Sequence, residues 1–281
     1  MPTFHTPTPI DLVINLQVGA LDIVAGDRDD TVVTVSPTNP AKAVDRRGAE
    51  ETRVDFDGRR VSVTGPKPRL SWIGPNESVD VRVELPSGSR FTAEVSVGGV
   101  RVTGRLGATR VKSSMGTVDL DTTGDLWLKA GHGNVTVGTA QGSAEIVADH
   151  GQIRIGTVTR DAVLKASHGS IQVELSGGDL EAKLSYGDLE VARALGSVAA
   201  KTAYGAISLR EVSSGSIQVE SGFGQISIDV RADVPAWLDL SSKLGHVRNQ
   251  LADNRAPDES EQTVAVRART QSGDITIQRA R

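Results

Sequence analysis

Apolar and polar positions alternate along most of the chain, and from residue 99 onward glycine punctuates the alternation at a nearly constant interval. The recurring pattern is a bulky residue, Gly, any residue, an aliphatic, any residue and an aliphatic. It runs from Met115-Gly116-Thr117-Val118-Asp119-Leu120 through His132-Gly133, His150-Gly151, His168-Gly169, Tyr186-Gly187 and Tyr204-Gly205 to Phe223-Gly224-Gln225-Ile226-Ser227-Ile228. Successive glycines from Gly116 to Gly224 are 17, 18, 18, 18, 18 and 19 residues apart. A looser copy precedes them at Gly99-Val100-Arg101-Val102, and two follow at Gly245-His246-Val247 and Ser272-Gly273-Asp274-Ile275-Thr276-Ile277. A second alternating run stands before each Gly, as in Leu126-Trp127-Leu128-Lys129-Ala130 and Leu180-Glu181-Ala182-Lys183-Leu184. Period-two alternation is the mark of a strand with one face buried. Each unit thus predicts two strands and two turns, with Gly at a corner whose backbone angles other residues avoid. Stacked at the inter-strand spacing of about 4.8 Å, such units make an all-β, single-chain parallel β-solenoid, β-helix-like, with two strands per coil.

Counting parity outward from the Gly gives an expected inward set of Ala144, Ile146, Ala148 and His150, then Ile153 and Ile155. By that count the column Met115, His132, His150, His168, Tyr186, Tyr204 and Phe223 also points inward. Three stacked imidazoles invite a metal-site reading. No carboxylate occupies a neighbouring inward position to orient them, so the expectation is a packing ladder with no metal and no cofactor. Four residues before the glycines, on the outward side, stand Lys112, Lys129, Val147, Lys165, Lys183, Lys201 and Glu220. The five lysines, Lys112, Lys129, Lys165, Lys183 and Lys201, are the candidate binding residues, because a stripe of cations at coil spacing suits an anionic polymer. The competing reading is a charged guard against sheet aggregation, with Glu145 and Glu181 placed for lateral pairing. Asn134, Gln152, Ser170, Gln172, Ser208 and Ser227 add a small-polar outward face.

Residues 1–98 carry alternating runs at Ile10 to Leu16, Leu21 to Ala25, Thr31 to Val35, Val61 to Thr64, Val79 to Leu85 and Phe91 to Val97, without the clean period. They are expected to form irregular first coils and a cap over the open edge of the stack, a separate domain being the alternative. Ser36 to Pro40 and the charged Lys42 to Arg53 read as a surface loop with one helical turn, and Gln250 to Gln262 as a charged insertion between the last two of the coils that fill 99–281.

Composition removes function classes rather than adding any. With 31 basic and 35 acidic residues the formal charge is -4, which offers no global attraction for nucleic acid. The absence of Cys excludes disulfides, thiolate zinc sites and a cysteine nucleophile. No basic segment leads into an apolar run at the N-terminus, and no stretch reaches the ~20 apolar residues of a spanning helix, so a cytoplasmic protein is expected, with a surface role left open. Nucleophile elbows, phosphate loops, zincin helices and calcium loops are missing from the sequence. Asp119 and Asp121 form an outward carboxylate pair that reads as solvation, since acid-base catalysis needs a shaped, desolvated site. The aliphatic spacing of six that marks hexapeptide acyltransferases is absent.

Several segments together carry a family resemblance: the Gly-anchored strand repeats, Val83-Glu84-Leu85-Pro86, the Val54-Asp55-Phe56-Asp57-Gly58-Arg59-Arg60-Val61 hairpin and Trp237-Leu238-Asp239-Leu240. Over nearly the whole chain the sequence resembles the bacterial putative-adhesin, or toastrack, family of β-strand-repeat proteins. That resemblance implies a surface or interaction role. The functional expectation is a non-enzymatic binding or scaffold protein presenting flat outward faces to a protein or glycan partner, against the alternative of a carbohydrate-active β-helix enzyme. Exposed edge strands further raise homo-oligomerisation through solenoid ends or faces.

Overall fold

A computed structural model describes residues 1–66, 77–251 and 263–280. The chain divides into two compact units, Met1–Ala140 and Gln141–Arg281. In each, the chain passes alternately through two facing sheets whose strands are mostly parallel.

In the C-terminal unit one sheet runs, in spatial order, Ile153–Val158, Ile171–Ser176, Leu189–Ala194, Ile207–Val212, Ile226–Val230, Ile275–Arg279 and Val247–Asn249. The facing sheet runs Ala144–His150, Ala162–His168, Leu180–Tyr186, Val198–Tyr204, Gly215–Phe223, Val264–Ser272 and Ala236–Leu244. Equivalent residues of successive coils pair in register, Ile171 with Leu189 and Leu189 with Ile207. Aliphatic side chains therefore stack in columns between the sheets, buried except on the Ala236–Leu244 and Val247–Asn249 coil, and the β-solenoid reading holds. Beyond backbone pairing, side chains stitch one coil to the next. The carboxylate of Asp161 accepts from the Asp179 amide at 3.0 Å, and that of Asp179 from the Ser197 amide at 2.9 Å.

The corner glycines are a steric requirement. Gly187 has φ +142°, and a Cβ placed there would overlap the carbonyl oxygen of Gly169 in the preceding coil. Coils can approach to sheet spacing only where that atom is missing. This column of close approaches also reports the order of stacking, and at both ends of the chain that order differs from the order in sequence. Gly273 sits on Gly224, and Gly245 sits on Gly273. The last coil in sequence, Val264–Ser272 with Ile275–Arg279, is thus inserted between the Gly215–Phe223 coil and the Ala236–Leu244 coil, pairing in parallel with both. Residues 250–262 therefore connect an edge coil back to an inner one, although 252–262 lie outside the described residues.

The N-terminal unit repeats the arrangement. Its first coil, Asp11–Val18 with Leu21–Gly26, lies between an edge coil, Arg60–Thr64 with Val79–Pro86, and the coil Arg90–Val97 with Val100–Arg105. Thr109–Met115 with Val118–Thr123 and Leu126–His132 with Val135–Ala140 continue the stack. Here the edge is covered. Arg53–Phe56 adds an antiparallel strand to one sheet, while Asp30–Pro37 and then Thr3–His5 add two to the other. The charged stretch expected to hold a single helical turn forms the nine-residue helix Ala43–Glu51. Its buried Asp45 accepts from the amides of Asn39 at 3.2 Å and Ser78 at 3.1 Å, tying the helix to the entry of the Val79–Pro86 strand. Among the described residues no helix is long and apolar enough to cross a membrane.

Candidate functional site: the outward columns

The largest departure from the expected register concerns the rings. Parity holds through Ala144, Ile146 and Ala148, which are buried, but His150, His168, Tyr186, Tyr204 and Phe223 are exposed, with Tyr186 at 51% and Phe223 at 51%. Met115, at 54%, and His132 are likewise exposed in the N-terminal unit. The inward assignment of this column is therefore corrected. Each ring occupies the last strand position before the corner Gly, one step beyond the final core residue, where no facing side chain covers it. The residue types carried a signal: His and Tyr are amphipathic, with polar edges suited to water.

Stacking itself is present. Centroids of His150 and His168 lie 4.7 Å apart, of His168 and Tyr186 5.1 Å, and of Tyr186 and Tyr204, and Tyr204 and Phe223, 5.0 Å each. Interplanar angles of 2° to 8° leave ring faces covered by neighbours and ring edges in water. Each such pair contributes roughly 0.5–1.5 kcal/mol to coil stacking. The result is a half-exposed aromatic ridge along the corner of the C-terminal unit, continued toward the unit's edge by Ser272 and Leu244.

The lysine column is exposed and in register, Lys112 beside Lys129 in one unit, Val147 to Lys165, Lys183, Lys201 and Glu220 in the other. Glutamates attend it. Lys112 Nζ lies 2.6 Å from Glu94, Lys183 Nζ 2.5 Å from Glu181, and Lys201 Nζ 3.1 Å from Glu220. Two of these partners, Glu94 and Glu220, occupy the same column in the adjacent coil; Glu220 stands there by its spacing from Gly224, whereas the place of Glu94 beside Lys112 emerges only from the register. The hydrogen bond from Lys183 holds the Glu181 carboxyl below the usual carboxylate range, helped by the charges of Lys183 and Lys165.

On the opposite sheet the small-polar positions pair along the stack. Gln152 donates to Ser170 Oγ at 2.8 Å, and Arg154 to Gln172 Oε1 at 2.9 Å. Asp121 has a local backbone role, accepting from the Gly104 amide at 3.0 Å where the ladder shifts register. Two shallow depressions mark the outer face of the lysine-bearing sheet. One, about 340 Å³, is lined by Asp179, Glu181, Ala199 and Gln218 among others. The second, about 290 Å³, lies beside Trp237, Asp239, Gln218 and Arg267. Trp237, 66% exposed, was legible only as part of a family segment. No group of three or more His, Asp or Glu residues is arranged to hold a metal ion among the described residues.

Parallel two-strand coils, a glycine corner and regular outward columns define a solenoid of the toastrack class. The Toastrack DUF4097 family matches residues 11–278, and the chain belongs to that family. Of the solved structures, a putative cell adhesion protein from Clostridium sporogenes is similar at 10% identity, over 99% of this chain and 98% of its own, with a TM-score of 0.20. A putative adhesin from Parabacteroides distasonis is similar at 10% identity, over 98% of this chain and 95% of its own, with a TM-score of 0.35. No curated protein matches the chain.

Proposed function

We propose that the chain is a non-catalytic binding scaffold whose C-terminal unit holds an extended protein or glycan partner along the aromatic ridge. The observation that carries this reading is the ladder from His150 to Phe223, five in-register rings with apolar surface that the chain's own core leaves in water. Contiguous exposed apolar surface rimmed by polar groups is the usual mark of an interaction site. Covering it returns about 25 cal/mol per Å² of apolar area. Lys165, Lys183 and Lys201 lie on the outer face of the strands that end in this ridge, and an acidic partner would compete there with Glu181 and Glu220, which pair with Lys183 and Lys201.

Binding to immobilised polysaccharides, heparin among them, and to an immobilised array of extended peptides tests the reading. The expected result is retention of the wild type and a loss of at least tenfold in affinity for Tyr186→Ser with Tyr204→Ser, since each buried aromatic anchor contributes more than about 1 kcal/mol. Replacing Lys165, Lys183 and Lys201 by Gln weakens heparin retention in a salt-dependent way if the partner is acidic. No retention of the wild type by any of these ligands, or retention indifferent to the tyrosine substitutions, refutes the ridge as a binding surface.

A further inference from the structure

We propose that the Ala236–Leu244 strand pairs antiparallel with the same strand of a second copy, about a two-fold axis at Ser241, making an end-to-end dimer through the C-terminal edge. Among the described residues, Ala236–Leu244 and Val247–Asn249 are the outermost strands of their sheets in this unit, each with one row of backbone groups unpaired. Which groups those are follows from the ladder on the other side. The Val264 amide donates to the Pro235 carbonyl at 3.0 Å, so odd-numbered residues turn their backbone toward the inserted coil. Alternate residues of a parallel strand face opposite sides, and Leu238, Leu240 and Ser242 therefore offer N–H and C=O outward.

Two features of the strand are satisfied together by one antiparallel register, centred on Ser241. Asp239, which accepts from Arg267 of its own chain at 2.8 Å, falls opposite the partner's Lys243, and Lys243 opposite the partner's Asp239, so the register adds a cross-strand cation to each carboxylate. Leu240 falls opposite the partner's Ser242 as a hydrogen-bonded pair, using the outward backbone groups. Leu238 and Leu240, which point inward on a coil with none of the described residues beyond it, then become interior residues of a continuous stack. The nine-residue strand is about 30 Å long and the three-residue edge strand of the facing sheet about 10 Å, each about 10 Å wide with its side chains, which gives roughly 400 Å² per copy, about 800 Å² in all. That size belongs to weak, concentration-dependent association. A parallel or head-to-tail arrangement lacks these matches, and the N-terminal edge coil is covered by antiparallel strands that leave only the short Thr3–His5 and Arg53–Phe56 outermost.

The test uses the full chain, in sedimentation and light scattering over a range of concentrations. A concentration-dependent dimer is expected, and a monomer throughout overturns the proposal. Lys243→Glu sets like charges opposite Asp239 twice and raises the dissociation constant about tenfold or more. Ser242→Pro removes an outward N–H and abolishes the dimer, while Ser242→Ala, which loses only the hydroxyl bond to the Gly273 carbonyl, keeps it. Unchanged melting of the monomer units separates loss of pairing from loss of folding. Because the chain has no cysteine, Ser241→Cys supplies one thiol per copy. At the two-fold axis those thiols lie about 4.5 Å apart at Cα, within disulfide reach, and oxidation yields a covalent dimer. The Lys243→Cys pair sits about 13 Å apart in this register and does not cross-link. Cross-linking through Lys243→Cys but not Ser241→Cys, or a dimer indifferent to Ser242→Pro, overturns the register proposed.

Discussion

The two ends of the chain solve the same topological problem and finish it differently. In each, the coil that comes first or last in sequence is held one place in from the edge, paired on both sides. A repeat stack frays from its ends, so placing a terminal segment between two neighbours prevents it from peeling away alone. The N-terminal edge coil is then covered by three antiparallel strands and a helix, and its inward Val79, Val81 and Val83 are fully buried. At the C-terminal edge, by contrast, Leu238 and Leu240 are half-buried and Val247, Trp237 and Leu244 exposed. What distinguishes the ends is therefore not the inserted coil but what lies beyond the edge coil, and edge strands left open are the ones that recruit partners.

Corner glycines offer the strongest way to break that comparison. Gly19 has φ +137°, and a Cβ there would overlap the Val79 carbonyl of the edge coil; Gly245 has φ +156°, with the same conflict against Gly273. The steric problem is equal, but the consequences differ. Gly19 lies in an inserted coil buried on both sides, so Gly19→Ala costs roughly 4 kcal/mol or more and lowers the global melting temperature. Gly245 lies on the bare edge, where the coil can open locally. Gly245→Ala therefore leaves the melting temperature of the core nearly unchanged and accelerates hydrogen exchange over residues 236–249. Equal loss of melting temperature in the two variants would contradict the distinction.

A smaller perturbation sharpens the role of the cover. Replacing Asp45 by Ala leaves the Asn39 and Ser78 amides without the carboxylate they donate to and should cost about 2 kcal/mol, the range for bonds to a charged acceptor. Detachment of the helix predicts faster proteolysis between residues 38 and 52, with exchange in the C-terminal unit unaffected. Protection spread evenly over the whole chain would show that the helix is not an independent cap.

How much of this was legible beforehand depends on what periodicity measures. Alternation reports which residues face a core, and the strands from Asp11–Val18 to Ile275–Arg279 lie where it places them. It does not report which coil a strand sits beside, because the Gly column is compatible with either neighbour; the exchanged order at both ends was accordingly hidden. Parity also fails where the core ends. Ala148 and His150 share a parity, but only Ala148 has a facing side chain across the stack, and the ladder was therefore assigned to the inside. The helix was underestimated for a related reason: its sequence is polar nearly all round, and it buries only Asp45 and Gly48, so no apolar stripe announced it.

Acid provides the mildest probe of the difference between the ends. On the covered end, Arg28 donates to Asp30 and Glu84, and Arg82 donates to Glu84, bridging the antiparallel Asp30–Pro37 strand to its neighbour. These bonds hold the Asp30 and Glu84 carboxyls below their usual range. A carboxylate whose folded value is depressed contributes stability that is complete above its unfolded value, about pH 4 to 4.5, and is lost as pH falls through the lower folded value. On the bare end Asp274 behaves likewise, held down chiefly by the His246 amide at 2.9 Å and then by the charge of Arg248. All these groups are near the surface, so the effect is small and screened by salt. Because a cross-strand network holds the cover, whereas Asp274 secures only one turn of the edge coil, acidification below about pH 4 should raise exchange across residues 30–37 and 79–86 together. At residues 245–249 the rise should stay confined to the turn. High salt at neutral pH should reproduce the N-terminal change in part. If acid instead loosens the C-terminal edge first and leaves the N-terminal strands protected, the ion pairs do not secure the cover and its stability rests on the buried valines alone.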